Sequence, residues 1–332
     1  MSTTYLIIGL TVILALSFDF INGFHDTANA IATAVSTKAL TPRKAILIAS
    51  IMNFLGAIAF QGVAKTIAKD IVNLNVIHNG SIVILAALVS AIAWNLITWY
   101  FGIPSSSSHA LIGSIAGAAI AAAGIASINF KGFASIIEAL IASPLIAFIV
   151  GYLMFKLLKV LFKNANLTKT NTRFRRVQVI TAAVQSFSHG TNDAQKSMGI
   201  ISMALVSSNF IKPGEIPLWV QLSCALAMAL GTSIGGWKII KTVGTQIMKI
   251  KPVNGVAADL SSAAIIFTAS HIGMPVSTTH VISSAIMGVG SSHSLKAVKW
   301  ATGKRMIITW FITLPISAAF AAFVYLIMDL FI

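Results

Sequence analysis

The sequence predicts an all-α polytopic membrane protein. It is expected to form two inverted-topology repeats of about five spans each, with broken or re-entrant helices at the centre. Three observations carry that expectation. The 332 residues are 57% hydrophobic and only 9% charged, with mean hydropathy +0.89, whereas a soluble domain carries about a quarter charged residues. Apolar runs near the length that spans a bilayer recur along the chain; such a run must be a helix, because each backbone polar group in hydrocarbon needs a partner within the segment. Two motifs recur in the same order in the two halves.

In the first half the apolar segments fall near 5–21, 45–63, 82–101, 110–126 and 136–158. The run from Tyr5 to Leu16 has no preceding Lys or Arg and no small-residue cleavage site, so it is expected to be a retained span rather than a signal peptide. The second half has segments near 177–187, 198–210, 218–236, 257–272, 281–290 and 306–328. Because the runs are continuous rather than alternating, a β-barrel is disfavoured. Lys and Arg gather at 38–44, 156–176, 238–251 and 296–305. In a soluble protein the net charge of +15 would suggest nucleic acid; here it follows from basic residues collecting in cytoplasmic loops, and no nucleic-acid partner is expected.

KNANLTKTNTRFRR, from Lys163 to Arg176, is the densest of these clusters. It divides the chain into an N-terminal repeat, 1–160, a basic cytoplasmic linker, 161–176, and a C-terminal repeat, 177–332. MSTT at one end and MDLFI at the other lack Lys and Arg, which places both termini outside. Each half then crosses an odd number of times, and the halves are inverted. The lone cysteine, Cys224, excludes an internal disulfide and a cysteine-based metal cluster.

The recurring motifs are specific. GIPSSSSHALIGSIAG begins at Gly102 and GMPVSTTHVISSAIMG at Gly273, so Pro104 and Pro275 each precede a hydroxyl cluster and then His109 or His280 at the same offset. Gly23 and Asp26 in GFHDTANA match Gly190 and Asp193 in GTNDAQKS. Both pairs lie roughly 170 residues apart, and corresponding interruptions in inverted halves point to a transporter's binding site.

A proline suits the first turn of a helix, and serine or threonine caps its free N–H groups. Two such helix starts converging within the membrane hold an oxyanion through their dipoles and their hydroxyls. The donors are Ser105, Ser106, Ser107 and Ser108 from one half, and Ser277, Thr278 and Thr279 from the other. The plainer alternative is that these residues only cap broken helices.

Asp26 and Asp193 are two of eight acidic residues, and both sit in apolar surroundings, where a carboxylate is costly and by default functional. Lys196 is a plausible structural partner for Asp193. Two carboxylates beside an oxyanion repel it strongly in a low dielectric, so a positive companion has to enter. Either a hard cation such as sodium bridges Asp26, Asn29, Asn192, Asp193 and backbone carbonyls, or protons neutralise the acids. Both alternatives give symport. His25, His109, His189 and His280 can relay protons or lock local structure, and the structural role is favoured for His109 and His280. Asn53 in NFLGA and Thr232 in GTSIGG match across the halves, with close helix packing beside glycine as their simplest role.

These residues resemble the signature regions of the inorganic phosphate transporter (PiT) family, and the short central loop looks like its bacterial low-affinity permease branch. The likeness runs over nearly the whole chain. It implies a cell-membrane secondary transporter that imports phosphate by alternating access, with an extracellular N-terminus and a cytoplasmic central loop. On this resemblance phosphate is held by Ser105 to Ser108 and Ser277 to Thr279, and Asp26 and Asp193 handle the coupling ion, Na+ or H+. No other cofactor is implied, and association of copies into a homo-oligomer is allowed.

There are two departures: His25 stands where the family often has asparagine, and Asn53 where eukaryotic members have glutamate. A sulfate importer of the same fold is the nearest rival. An acceptor such as Asp26 favours phosphate over sulfate, because phosphate carries a proton to donate. An intramembrane phosphate-ester enzyme is disfavoured, since HExxH, a nucleophile elbow and a P-loop are all missing from the sequence. An anion channel would not need buried acids.

Overall fold

The computed structural model describes residues 2–73, 76–77, 80–163 and 167–331. The expectations for 164–166, in the linker, and for the end residues 1 and 332 lie outside them. Thirteen α-helices are formed among the described residues: α1 Ser2–His25, α2 Thr27–Ser36, α3 Pro42–Ala57, α4 Gly62–Asp70, α5 Gly80–Phe101, α6 Ser107–Ala123, α7 Phe130–Leu161, α8 Leu167–Ser207, α9 Leu218–Ile234, α10 Trp237–Lys241, α11 Pro252–His271, α12 Thr278–His293 and α13 Trp300–Asp329.

Five stretches are long and apolar enough to cross a membrane: Tyr5–Ser36, α5, α7, α11 and α13. The α3–α4 and α9–α10 pairs qualify as two more if each is one span, bent by 65° and 66°. Large apolar side chains along α7 and α13, such as Leu145, Ile149, Phe311 and Phe323, are exposed, as a lipid-facing surface requires. This is a multi-pass membrane protein.

Several sequence expectations change in detail. The segments 177–187 and 198–210 belong to one 41-residue helix, α8. Its polar middle, Ser188 to Ser197, is buried inside the protein, so the helix continues with Ala194 as its one apolar side chain there. Between α1 and α2 only Asp26 interrupts the helical run, and the backbone bonds Asp26 N–H to Asn22 O and Asn29 N–H to Asp26 O carry the chain across. The segments 23–37 and 190–209 therefore continue their helices, as far as Ser36 and Ser207, rather than fold back. By contrast α6 and α12, with 17 and 16 residues, reach only about 25 Å, too short for a full crossing.

Packing pairs recur between the halves. Helix α1 packs on α9 and α8 on α3; α6 packs on α13 and α12 on α7; α1 packs on α5 and α8 on α11. Glycine makes two of these approaches possible. A Cβ at Gly23 would strike the Met228 backbone of α9, and one at Gly190 the Asn53 backbone of α3. Gly231 and Gly56 return the contact, against the backbones of Phe20 and Phe187. Asn53 therefore corresponds to Met228, and not to Thr232 as the sequence match suggested. What links Asn53 to Thr232 is a hydrogen bond of 3.1 Å.

Candidate functional site

The two Pro-led turns meet. Residues 103–106 and 274–277 run without regular structure before α6 and α12 begin. Pro104 and Pro275 lie ahead of the helices instead of in their first turns. Ser106 and Ser277 are the N-caps, accepting from His109 N–H at 3.1 Å and His280 N–H at 3.3 Å. The extended approach is what lets consecutive hydroxyls point in different directions. Ser108 donates to the Val276 carbonyl of the other turn at 3.0 Å, and the rings of His109 and His280 lie 4.4 Å apart. His280 stacks on Trp310 at 4.0 Å. All seven hydroxyl residues are buried.

Asp26 joins the halves. Its Oδ2 accepts from Ser107 at 2.5 Å and its Oδ1 from Thr279 at 3.1 Å. His25 Nδ1 lies 2.6 Å from Oδ1, and its Nε2 contacts Thr98 at 3.1 Å. Asn29 donates through Nδ2 to Thr279 at 2.9 Å, while its buried Oδ1 has no hydrogen-bond partner among the described residues. Asp193 accepts from Thr278 at 3.0 Å, forms an ion pair with Lys196, and has His189 Nε2 3.1 Å from Oδ2. Lys196 also donates to Ser108 at 2.6 Å.

Asn53 lies next to this network, donating to Thr27 at 2.9 Å and lying 3.0 Å from His189 Nδ1. The first intrahelical bonds of α6 and α12 are Ala110 N–H to Ser106 O and Val281 N–H to Ser277 O. The N–H groups of Ser107, Ser108, Thr278 and Thr279 precede those bonds, at the positive ends of two helix dipoles.

Some expected residues are engaged otherwise. Ser105 donates to Thr98 at 2.8 Å. Asn192 donates to Ser270 and Met274 O and accepts from Val276 N–H; its amide holds the α11–α12 turn, and among the described residues it hydrogen-bonds to neither aspartate. The hydroxyls that donate to the acids are Ser107, Thr278 and Thr279, and Ser108 meets Lys196 instead.

Two buried acids escaped the sequence reading. Asp259 on α11 accepts from Thr33 at 2.7 Å and Thr181 at 2.9 Å, and Asp19 on α1 is buried beside Ser197 and Cys224. Both lie in apolar runs, so the rule that marked Asp26 applies to them. Matching the halves passes over them because neither has an acidic counterpart in the other half. A cavity of about 600 Å³ lies behind His109 and His280 and is walled mostly by apolar residues such as Leu140, Phe148, Trp310 and Phe311; a dianion has few polar partners there.

The chain is similar to several known proteins. The profile of the phosphate transporter family matches residues 22–321. A "probable low-affinity inorganic phosphate transporter" of Bacillus subtilis (strain 168) is 68% identical over 97% of each chain. One of the same description from Rhizobium meliloti is 42% identical over 98% of this chain and 97% of its own. A solved structure described as "The sodium-dependent phosphate transporter" superposes with a TM-score of 0.92 at 29% identity, covering 98% of this chain and all of the other. These relatives carry the names of transporters, not enzymes, and the match runs through both turns and both aspartates: the chain belongs to the phosphate transporter family.

Proposed function

We propose that this protein imports inorganic phosphate by symport with a cation, alternating access around the point where the two turns meet. The observation that carries the reading is the double engagement of Asp26, by Ser107 of its own half and Thr279 of the other. Phosphate replaces the carboxylate partners of Ser107, Thr278 and Thr279 and the Val276 carbonyl partner of Ser108, in front of two helix N-termini. Ser105, Ser106 and Ser277 support those residues from behind, with His109 and His280. At about 5 Å and an effective dielectric near 20, one carboxylate repels a dianion by roughly 7 kcal/mol. A cation bound at Asp26 removes that term, which makes its binding and that of phosphate mutually dependent.

Asp26, Asn29 Oδ1, Ser107 and Thr279 supply oxygen ligands of the kind a hard cation takes. The unpartnered Asn29 Oδ1 and the sodium dependence for which the structural relative is named support sodium. The His25–Asp26 contact of 2.6 Å favours a second reading, in which the coupling ion is a proton shared by that pair. The halves 1–160 and 177–332 form the inverted repeats, the linker 161–176 is cytoplasmic, and the termini are extracellular, by the charge distribution.

Labelled phosphate uptake into proteoliposomes under imposed sodium or proton gradients tests this. Concentrative uptake driven by one gradient is expected, with sulfate a weak competitor. Uptake indifferent to both gradients rejects symport.

A further inference from the structure

Asn29 and Lys196 each follow the aspartate of their half by three residues, one helical turn on. Each reaches across the protein in the same way. Asn29 Nδ2 donates to Thr279, the hydroxyl just before His280, at 2.9 Å. Lys196 Nζ donates to Ser108, the hydroxyl just before His109, at 2.6 Å. The two residues are therefore counterparts in space as well as in sequence. Around Asp26 the carboxylate accepts directly from Thr279. Around Asp193 the ammonium of Lys196 holds both the carboxylate and Ser108.

Lys196 is fully buried and is the only buried lysine or arginine among the described residues. Asp19 and Asp193 both feel its charge. An ammonium held by a carboxylate and a hydroxyl sits where the other half offers Asp26, Asn29 Oδ1 and Thr279 to an ion. A free cation cannot share that place, because the like-charge repulsion at contact is severe in a buried site.

We infer that Lys196 is a built-in cation: it fills the C-terminal half's cation position, and a mobile coupling cation binds only at Asp26 and Asn29. The inference rests on the symport reading. Lys196 is thus a positioning residue that fixes how many cations accompany each phosphate.

The test uses the full chain in proteoliposomes. The cation-to-phosphate ratio is read from the reversal potential of labelled phosphate flux, under whichever gradient drives the wild type. Lys196→Asn installs the residue of the other half and is expected to raise the ratio by one cation and to steepen the cation dependence of uptake. Asn29→Lys, its mirror, is expected to lower the ratio by one. An unchanged ratio in a transporting Lys196→Asn variant overturns the inference.

If that variant does not transport, its melting temperature in detergent with and without the driving cation decides. A cation-dependent rise larger than the wild type's supports the second site, and no larger rise overturns it. Asp193→Asn with Lys196→Met removes the pair together and, where the variant transports, is expected to keep the wild-type ratio; a changed ratio also overturns the inference. If the wild type ignores both gradients, symport itself fails, whatever the variants do.

Discussion

Asp26 and Asp193 hold equivalent places, yet their charges are met differently. Asp26 faces hydroxyls and His25, whereas Asp193 faces an ammonium. Their amide variants therefore fail in different ways. Asp26→Asn is expected to fold normally and to lose gradient-driven uptake about tenfold or more, the effect of about 1.4 kcal/mol in cation or phosphate binding. Asp193→Asn leaves Lys196 buried without its counter-charge, and breaking such a pair costs about 3–5 kcal/mol. Its melting temperature in detergent should fall well below that of Asp26→Asn. Removing the hydroxyl of Thr279 with valine unpairs Asn29 Nδ2 and takes away one of the two partners of Asp26 Oδ1, leaving His25, and uptake at limiting phosphate should drop while expression holds.

The elements that matter most are the two short helices and the glycine contacts that seat the long ones. Ser106 caps α6 and also lies 2.9 Å from His109 Nδ1, so Ser106→Ala is expected to lower stability by about 1 kcal/mol and to loosen the turn that presents Ser107 and Ser108. Gly190 lies against the Asn53 backbone, where a methyl group has no room. Gly190→Ala forces α8 from α3 at a cost of about 1–3 kcal/mol or more. That displacement moves Asn53 from His189 and Thr27, so uptake should fall even where the variant is still inserted, as surface labelling alongside transport would show.

At the scale of the whole molecule, the halves are interleaved. Helix α6 packs on α13 and α12 on α7, while α1 packs on α9 and α3 on α8. Each of these four contacts joins a helix of one half to a helix of the other. Residues 1–163 expressed alone are expected to be degraded or to aggregate, and co-expression with 164–332 should restore phosphate uptake. Accumulation of a folded, monodisperse N-terminal half on size exclusion would contradict this interleaving.

Much of the candidate site was legible in the chain, for reasons visible at particular residues. Pro104 and Pro275 with their hydroxyls, and Asp26 and Asp193, stood out because an apolar stretch tolerates few polar groups and because each appears twice. The same reliance on repetition hid Asp19 and Asp259, and it paired Asn53 with Thr232 although Met228 is its counterpart. It also left Lys196 as a structural partner, since a residue that breaks the repeat gives no match.

The sequence by itself determined the membrane class, the family and the identity of the polar residues, since burying polarity in hydrocarbon is costly enough to leave only purposeful exceptions. Tertiary structure alone decided which exceptions meet. Hydrogen bonds such as Thr279 to Asp26 and Lys196 to Ser108 join residues far apart in the chain, and their directions depend on how helices of the two halves pack. Local sequence cannot encode such a geometry.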